Sequence, residues 1–124
     1  ALMRARNKLI LAHIGDSRAY LLRDGETVQI TKDHTFVQRL LDEGRLTEDE
    51  AERHPQRSVL MRVLGDVDAS PELDVFEVPV APGERWLFCS DGLTDVVSSE
   101  KIHEVLRDSE ALNQAVDTWI RKHV

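Results

Sequence analysis

The stretch KLILAHIGDSRAYLLRDGETVQIT, residues 8–31, decides the fold because it contains three strand patterns in a row. The mostly apolar residues 8–14 predict a buried strand, and residues 18–22 predict a second one. Asp24-Gly25 is a strong hairpin signal, and residues 26–31 alternate as a third strand. Strands joined by such short turns predict antiparallel pairing.

After residue 31 the hydrophobic period changes from that of a strand to that of a helix. Residues 35–44 predict a helix with Thr35 as its N-cap. Residues 47–53 predict a second helix, in which Thr47 and Glu50 form a capping box. The later predictions, in chain order, are a segment at 58–64 that fits either strand or helix, strands at 73–80 and 85–90, a helix at 98–107, and a last helix with Leu112, Val116, Trp119 and Ile120 on one stripe.

Strand hairpins with helices grouped between and after them predict an α+β domain with antiparallel sheets. The length of 124 residues fits one domain. The formal net charge of −7 argues against a nucleic-acid surface, which needs a basic face, and it fits a site that binds cations. One cysteine, Cys89, excludes an intrachain disulfide, and no segment has the pattern of a signal peptide or membrane span. We therefore expect a cytoplasmic protein without membrane contact.

Two aspartates stand where apolar strands end. Asp91 lies in FCSDGLTDVV, residues 88–97, and Asp16 lies in the Gly15-Asp16-Ser17 turn of HIGDSRAY. Each fits either a tight turn or a carboxylate that is held in place for a hard cation such as Mg²⁺ or Mn²⁺. If the two strands share a sheet edge, both aspartates can bind the same cation. The local pattern leaves both interpretations open.

Other candidate functional motifs lack residues or the strand–helix pattern that their chemistry requires. A cysteine phosphatase needs an arginine six positions after its cysteine, and Asp95 stands there, so Cys89 is predicted to be core together with Phe88. Ser90 lacks the glycine of a hydrolase elbow two positions before it. Residues 66–77 place acidic side chains at EF-hand positions, but Pro71 replaces the required glycine. DVDAS at 66–70 matches an aspartyl-phosphate motif only loosely, because the chain lacks βαβ alternation.

The histidines show no spacing typical of metal ligands. We expect the two on predicted helices, His103 and His123, to be solvated, and His34 and His54 to have structural roles. The fifth histidine of the chain is His13.

Three stretches in unbroken order resemble the metal-dependent serine/threonine protein phosphatases of the PPM (type 2C) family, bacterial type. AHIGDSRAYLLRDGETVQITKDHT, residues 12–35, resembles the central hairpins of the family. LLDEGRLTEDEAERHPQRSVLMRVLG, residues 40–65, is similar to the bacterial flap insert, and PGERWLFCSDGLTDVVSSEKI, residues 82–102, is similar to the motif that carries a metal ligand. The resemblance implies part of a four-layer α-β-β-α sandwich with two antiparallel sheets. Residues 1–124 would be the central to C-terminal part of one domain, truncated at both ends, with a mobile flap at about 33–64.

The resemblance also implies an activity and its metal ligands. Members hydrolyse phosphoserine and phosphothreonine in proteins with water activated by two, in bacterial members three, Mn²⁺ or Mg²⁺ ions. It makes Asp91 a ligand of the core binuclear centre and Asp16 its companion at the third metal, which Asp95 reaches directly or through water. No catalytic side chain acts as nucleophile. The implied partners are phosphorylated proteins, and serine/threonine kinases are a further class.

The chain also departs from the family pattern. An Asp-Gly-x-Gly-Gly motif, expected before Lys8, and a later Asp-Asn motif do not occur in it. We therefore expect these residues alone to be inactive, and their open sheet edges to favour a dimer or a complementing fragment. The rival hypothesis is a non-catalytic regulatory or binding module on the same fold.

Overall fold

The computed structural model describes residues 1–62, residues 72–108 and Arg121. The chain divides into two compact units, one formed by Ala1–Ser17 and Thr31–Ala81, the other by Arg18–Ile30 and Pro82–Val124. The predicted last helix and the DVDAS stretch lie outside the described residues.

The first unit contains a three-stranded antiparallel sheet. Its strands are β1 (Leu2–Ala5), β2 (Lys8–His13) and β5 (Asp74–Pro79), in the order β1-β2-β5. Strand β1 was not predicted. The register between β2 and β5 places His13 opposite Asp74, which brings two residues that are far apart in sequence to the same end of the sheet.

Two short helices follow in the same unit, both begun by threonine caps as predicted. Helix α1 (Phe36–Asp42) starts after Thr35, whose hydroxyl accepts a hydrogen bond from the Gln38 amide, and α2 (Glu48–Glu52) has the predicted Thr47–Glu50 capping box. The buried apolar residues of the unit are Leu11, Val37, Leu40 and Ala51.

The segment that fitted either strand or helix is neither over the part that the structure describes. Residues 58–62 contain one isolated bridge, from Leu60 to Thr35, and residues 63–64 lie outside the described ranges. The exposed run Val59–Met61 explains the ambiguous pattern, because these apolar side chains do not enter a core.

The second unit contains another three-stranded antiparallel sheet. Its strands are β3 (Arg18–Arg23), β4 (Glu26–Gln29) and β6 (Arg85–Cys89), in the order β4-β3-β6. The turn between β3 and β4 is the predicted Asp24-Gly25 hairpin. Both residues have positive φ, +52° and +79°, as a type I′ turn requires.

Helices α3 (Asp91–Thr94) and α4 (Ser99–Arg107) complete the described part of this unit. Tyr20 and Leu22 of β3 pack with Ile102 and Leu106 of α4, and Leu87, Cys89 and Val97 pack against this cluster. Cys89 is therefore core, as predicted.

Two predictions on this unit are wrong. Phe88 is 45% exposed, because it points to the opposite face of β6 from Leu87 and Cys89, where it stacks on Trp86. His103 is not simply solvated, because its Nδ1 lies 2.6 Å from the hydroxyl of Thr27 on β4.

The α+β class with two antiparallel sheets is confirmed. Among the described helices, none has the length and apolar character needed to cross a bilayer. The mobility of the insert stays a prediction.

Candidate metal site

Asp91 is the first residue of a helix and not a turn residue. Strand β6 ends at Cys89, Ser90 is extended with φ −89° and ψ 177°, and α3 begins at Asp91. The N–H of Asp95 donates to the carbonyl oxygen of Asp91 at 2.9 Å. The two aspartates are therefore one helical turn apart and on the same face.

The two carboxylates are suited to a cation. Both residues are exposed, and within residues 1–62 and 72–108 neither side chain forms a hydrogen bond or ion pair. Like charges four residues apart on a helix repel each other, and a hard cation removes that repulsion by binding carboxylate oxygens. The donor set therefore fits Mg²⁺ or Mn²⁺.

Asp16 lies on the turn that follows β2, in the first unit, whereas Asp91 and Asp95 belong to the second. Asp16 is half-buried and its neighbour Gly15 is buried. Gly15 has a φ of +106°, a conformation that side chains with a Cβ rarely adopt. The glycine of this motif is therefore required by the backbone of the turn.

The residue before Asp16 is bound twice by His34. The backbone N–H of His34 donates to the carbonyl oxygen of Gly15 at 2.8 Å, and the N–H of Gly15 donates to Nδ1 of His34 at 3.1 Å. Because Nδ1 accepts, the proton of the neutral imidazole is on Nε2, which donates to Oδ2 of Asp74 at 2.6 Å.

The residue after Asp16 is bound by His13. Nε2 of His13 lies 2.7 Å from the carbonyl oxygen of Ser17, so Nε2 carries the proton. Nδ1 of His13 is buried and has no hydrogen-bond partner within the described part of the chain. Burial lowers the pKa of His13 below its ordinary value, and the nearby His34 adds to this effect, while the bond to Ser17 opposes it. His13 is therefore held neutral.

His13, His34 and Asp74 together form a cluster that sequence reasoning missed. One ligand atom from each lies within 4.8 Å of the others. The spacing 13, 34, 74 has no motif character, and only the β2–β5 register brings the three together. Both nitrogens of His34 are occupied by hydrogen bonds, so the cluster as built is a hydrogen-bond network and not a ligand set.

Comparison with known proteins identifies the family. The sequence profile described as "Protein phosphatase 2C" matches residues 1–123. The chain is 55% identical over 115 residues to the serine/threonine protein phosphatase PstP of Mycobacterium tuberculosis, covering 93% of this chain and 22% of that protein. It is 37% identical over 122 residues to the serine/threonine phosphatase Stp of Listeria innocua, covering 98% and 48%.

Comparison with solved structures identifies the same family. A crystal structure of M. tuberculosis PstP/Ppp superposes with a TM-score of 0.83 at 49% identity, covering 97% of this chain and 52% of that one. A PstP catalytic domain in complex with two manganese ions gives a TM-score of 0.75 at 46% identity, covering 97% and 50%. The chain belongs to the protein phosphatase 2C family. It spans about half the length of these solved chains and of Stp, and less of full-length PstP.

Proposed function

We propose that the protein containing this chain hydrolyses phosphoserine and phosphothreonine in other proteins, with Mn²⁺ or Mg²⁺ as cofactor. The family match and the names of the relatives support the reaction. The two manganese ions of the PstP catalytic domain support the cofactor, with two or three ions in the complete domain. The observation in this chain that carries the proposal is the Asp91–Asp95 pair, two exposed carboxylates one turn apart.

The proposed ligands are Asp91, Asp16 and Asp95. The backbone of α3 holds the first and last of these at a fixed separation, so cation binding requires little ordering of the chain. Bound divalent cations supply Lewis-acid activation of water in such sites. In this proposal carboxylate oxygens hold the ions, and Asp91 follows the end of β6 by two residues.

We assign the attack on phosphorus to water and not to the two side chains that precede Asp91 in the sequence. Cys89 packs against the core of its unit, and the side chain of Ser90 makes no capping hydrogen bond. A hydroxyl or thiol needs an adjacent base or a lowered pKa to attack phosphorus. The packing of Cys89 against the core therefore supports water as the attacking group.

The remaining expectations follow from coverage and resemblance. Because the chain spans about half of its solved relatives, we propose that residues 1–124 are part of one phosphatase domain and are inactive alone. Phosphorylated proteins are the proposed substrates. Serine/threonine kinases as partners and a cytoplasmic location stay predictions.

The experiment measures phosphate release from a phosphothreonine peptide by the complete protein. We expect release with Mn²⁺ or Mg²⁺, none after chelation by EDTA, and recovery when Mn²⁺ is restored. Hydrolysis that continues in EDTA would rule out a metal-activated water. No hydrolysis with either ion would favour the rival binding module.

A further inference from the structure

The turn that carries Asp16 is held on both sides by a buried histidine. His34 binds Gly15, the residue before Asp16, and His13 binds Ser17, the residue after it. We propose that His34 is a positioning residue that, with His13, keeps the Asp16 turn in the conformation that presents its carboxylate to a cation. The inference rests on the proposed function, since that function assigns Asp16 to a cation.

His34 is suited to this role because it binds both backbone groups of one residue. The N–H and the carbonyl oxygen of Gly15 are bound at 3.1 and 2.8 Å, and Gly15 is buried away from water that could replace them. Glycine is also the residue with the most backbone freedom to lose. Without the imidazole of His34, the buried N–H of Gly15 would lose this partner, and only the backbone bond to the Gly15 carbonyl oxygen would remain.

Asp74 completes the arrangement by fixing which ring nitrogen of His34 carries the proton. The imidazole must present a lone pair from Nδ1 to Gly15, so the proton must stay on Nε2, and Oδ2 of Asp74 accepts it at 2.6 Å. The other oxygen of Asp74 lies 3.6 Å from a guanidinium nitrogen of Arg62. A chain of polar contacts thus runs from β5 through His34 to the metal-ligand turn.

The same contacts argue against a transition metal in the cluster. To bind a metal through Nε2, His34 would have to move its proton to Nδ1, where the N–H of Gly15 points. Two donors would then face each other in a buried site, which is unfavourable. His13 retains one free lone pair, and one imidazole nitrogen does not make a metal site.

The first test uses the ¹⁵N-labelled complete protein near pH 7.5 and records the imidazole nitrogens by long-range ¹H–¹⁵N spectroscopy. We expect His34 as the neutral tautomer with its proton on Nε2. In Asp74→Ala, the other tautomer should become visible. A proton on Nδ1 in the wild type, a doubly protonated ring, or Zn²⁺-induced shifts of both His13 and His34 nitrogens would overturn the proposal.

The second test measures Mn²⁺ affinity by paramagnetic broadening of the Asp16 amide signal, independently of activity. His34→Ala should weaken binding about tenfold, the low end for residues that orient metal ligands. His34→Asn should restore most of it, because the amide oxygen takes the place of Nδ1 as acceptor for Gly15. The matched control is His54→Asn, in the insert, where Nδ1 accepts from Gln56 instead; it should bind like the wild type.

The outcomes separate this inference from the proposed function. Two results together would overturn the positioning role even if the enzyme is active: Mn²⁺ affinity in His34→Ala and Asp74→Ala equal to that of the wild type, and hydrogen exchange of Gly15 that is no faster in either variant. If His34→Ala does not fold, Asp74→Ala provides the same comparison, with an expected severalfold loss. An inactive wild type that still binds Mn²⁺ through a His34-dependent turn would contradict the phosphatase assignment alone.

Discussion

The N–H of Asp95 donates to the carbonyl oxygen of Asp91 across 2.9 Å, so the two carboxylates extend from one face of the same helical turn. Both are exposed and, within the described residues, neither is paired with a cation of the chain. The two like charges repel each other, and a cation bound by both carboxylates would remove that repulsion.

This relationship predicts that Asp95→Asn changes the stability of the protein in opposite directions with and without divalent metal ions. Without divalent ions, Asp95→Asn should stabilise the complete protein by about 0.2–0.5 kcal/mol, the usual size of a like-charge pair at this spacing. With saturating Mn²⁺ the same variant should be less stable than the wild type, because it binds the ion more weakly. Thermal unfolding in EDTA and in Mn²⁺ measures both values. The same sign in both buffers would refute a cation between these residues.

The neutral state of His13 predicts a loss of stability in mild acid. Burial lowers the pKa of His13 in the folded protein, with His34 acting in the same direction and Asp74, Asp33 and the bond to Ser17 opposing it. The unfolded chain therefore binds a proton first, as pH falls below about 6.5, and the stabilising contribution of neutral His13 is lost as pH falls further through the folded pKa.

The measurement is the free energy of unfolding from denaturant titrations between pH 7.5 and 5. The wild type should lose stability over this range, and His13→Gln should lose less. The hydrogen bond from Arg39 holds the pKa of Glu43 below its usual value, so this carboxylate stays charged over the measured range. Thr47→Ala, which removes a helix cap, should cost about 1 kcal/mol and keep the wild-type pH dependence. An equal slope in His13→Gln would contradict the prediction.

The core of the second unit predicts that one substitution strongly destabilises the fold. Leu106 on α4 is 1% exposed and packs with Tyr20 and Leu22. Leu106→Ala should therefore lower the free energy of unfolding by about 2–5 kcal/mol, since it removes buried methyl groups and leaves a cavity. Leu2→Ala, at a side chain that is 49% exposed, should change it by less than about 0.5 kcal/mol. Chemical denaturation compares the two, and similar losses would show that this core is not as described.

Open strand edges predict self-association of the 124-residue chain by itself. Within the described residues, β4 and β6 form the two edges of one sheet, and they carry Val28 and Phe88, which are 52% and 45% exposed. Unpaired edges with apolar side chains pair readily with another chain. Light scattering should therefore give a mass above that of the monomer. A stable folded monomer at micromolar concentration would disprove this.

Local signals in the sequence were enough to predict the elements that local chemistry controls. The Asp24-Gly25 hairpin, the Thr35 cap and the Thr47–Glu50 capping box are each determined within four residues, and all three are confirmed. Phe88 was misplaced because an apolar run does not reveal which of two alternating faces is covered. Position in the sheet decides that.

The candidate site likewise contains residues that the sequence indicates and residues that it does not. Asp91 and Asp16 follow apolar strands, a pattern visible in the sequence, and the metal-ligand prediction for them is still to be tested. The His13–His34–Asp74 network could not be predicted, because it depends on the pairing of β2 with β5, two strands separated by the whole insert. No residue-spacing rule contains that register.

The central claim is that Asp91 holds a divalent cation needed for phosphate release. Its most direct test is a calorimetric Mn²⁺ titration of the complete protein and its Asp91→Asn variant, with phosphate release from a phosphothreonine peptide measured on the same samples. We predict that Asp91→Asn loses tight Mn²⁺ binding and about hundredfold or more in activity, at least the loss seen when residues behind a metal ligand are changed. Asp24→Asn, at the exposed β3–β4 hairpin, should retain both. Wild-type Mn²⁺ affinity and activity in Asp91→Asn would contradict the account.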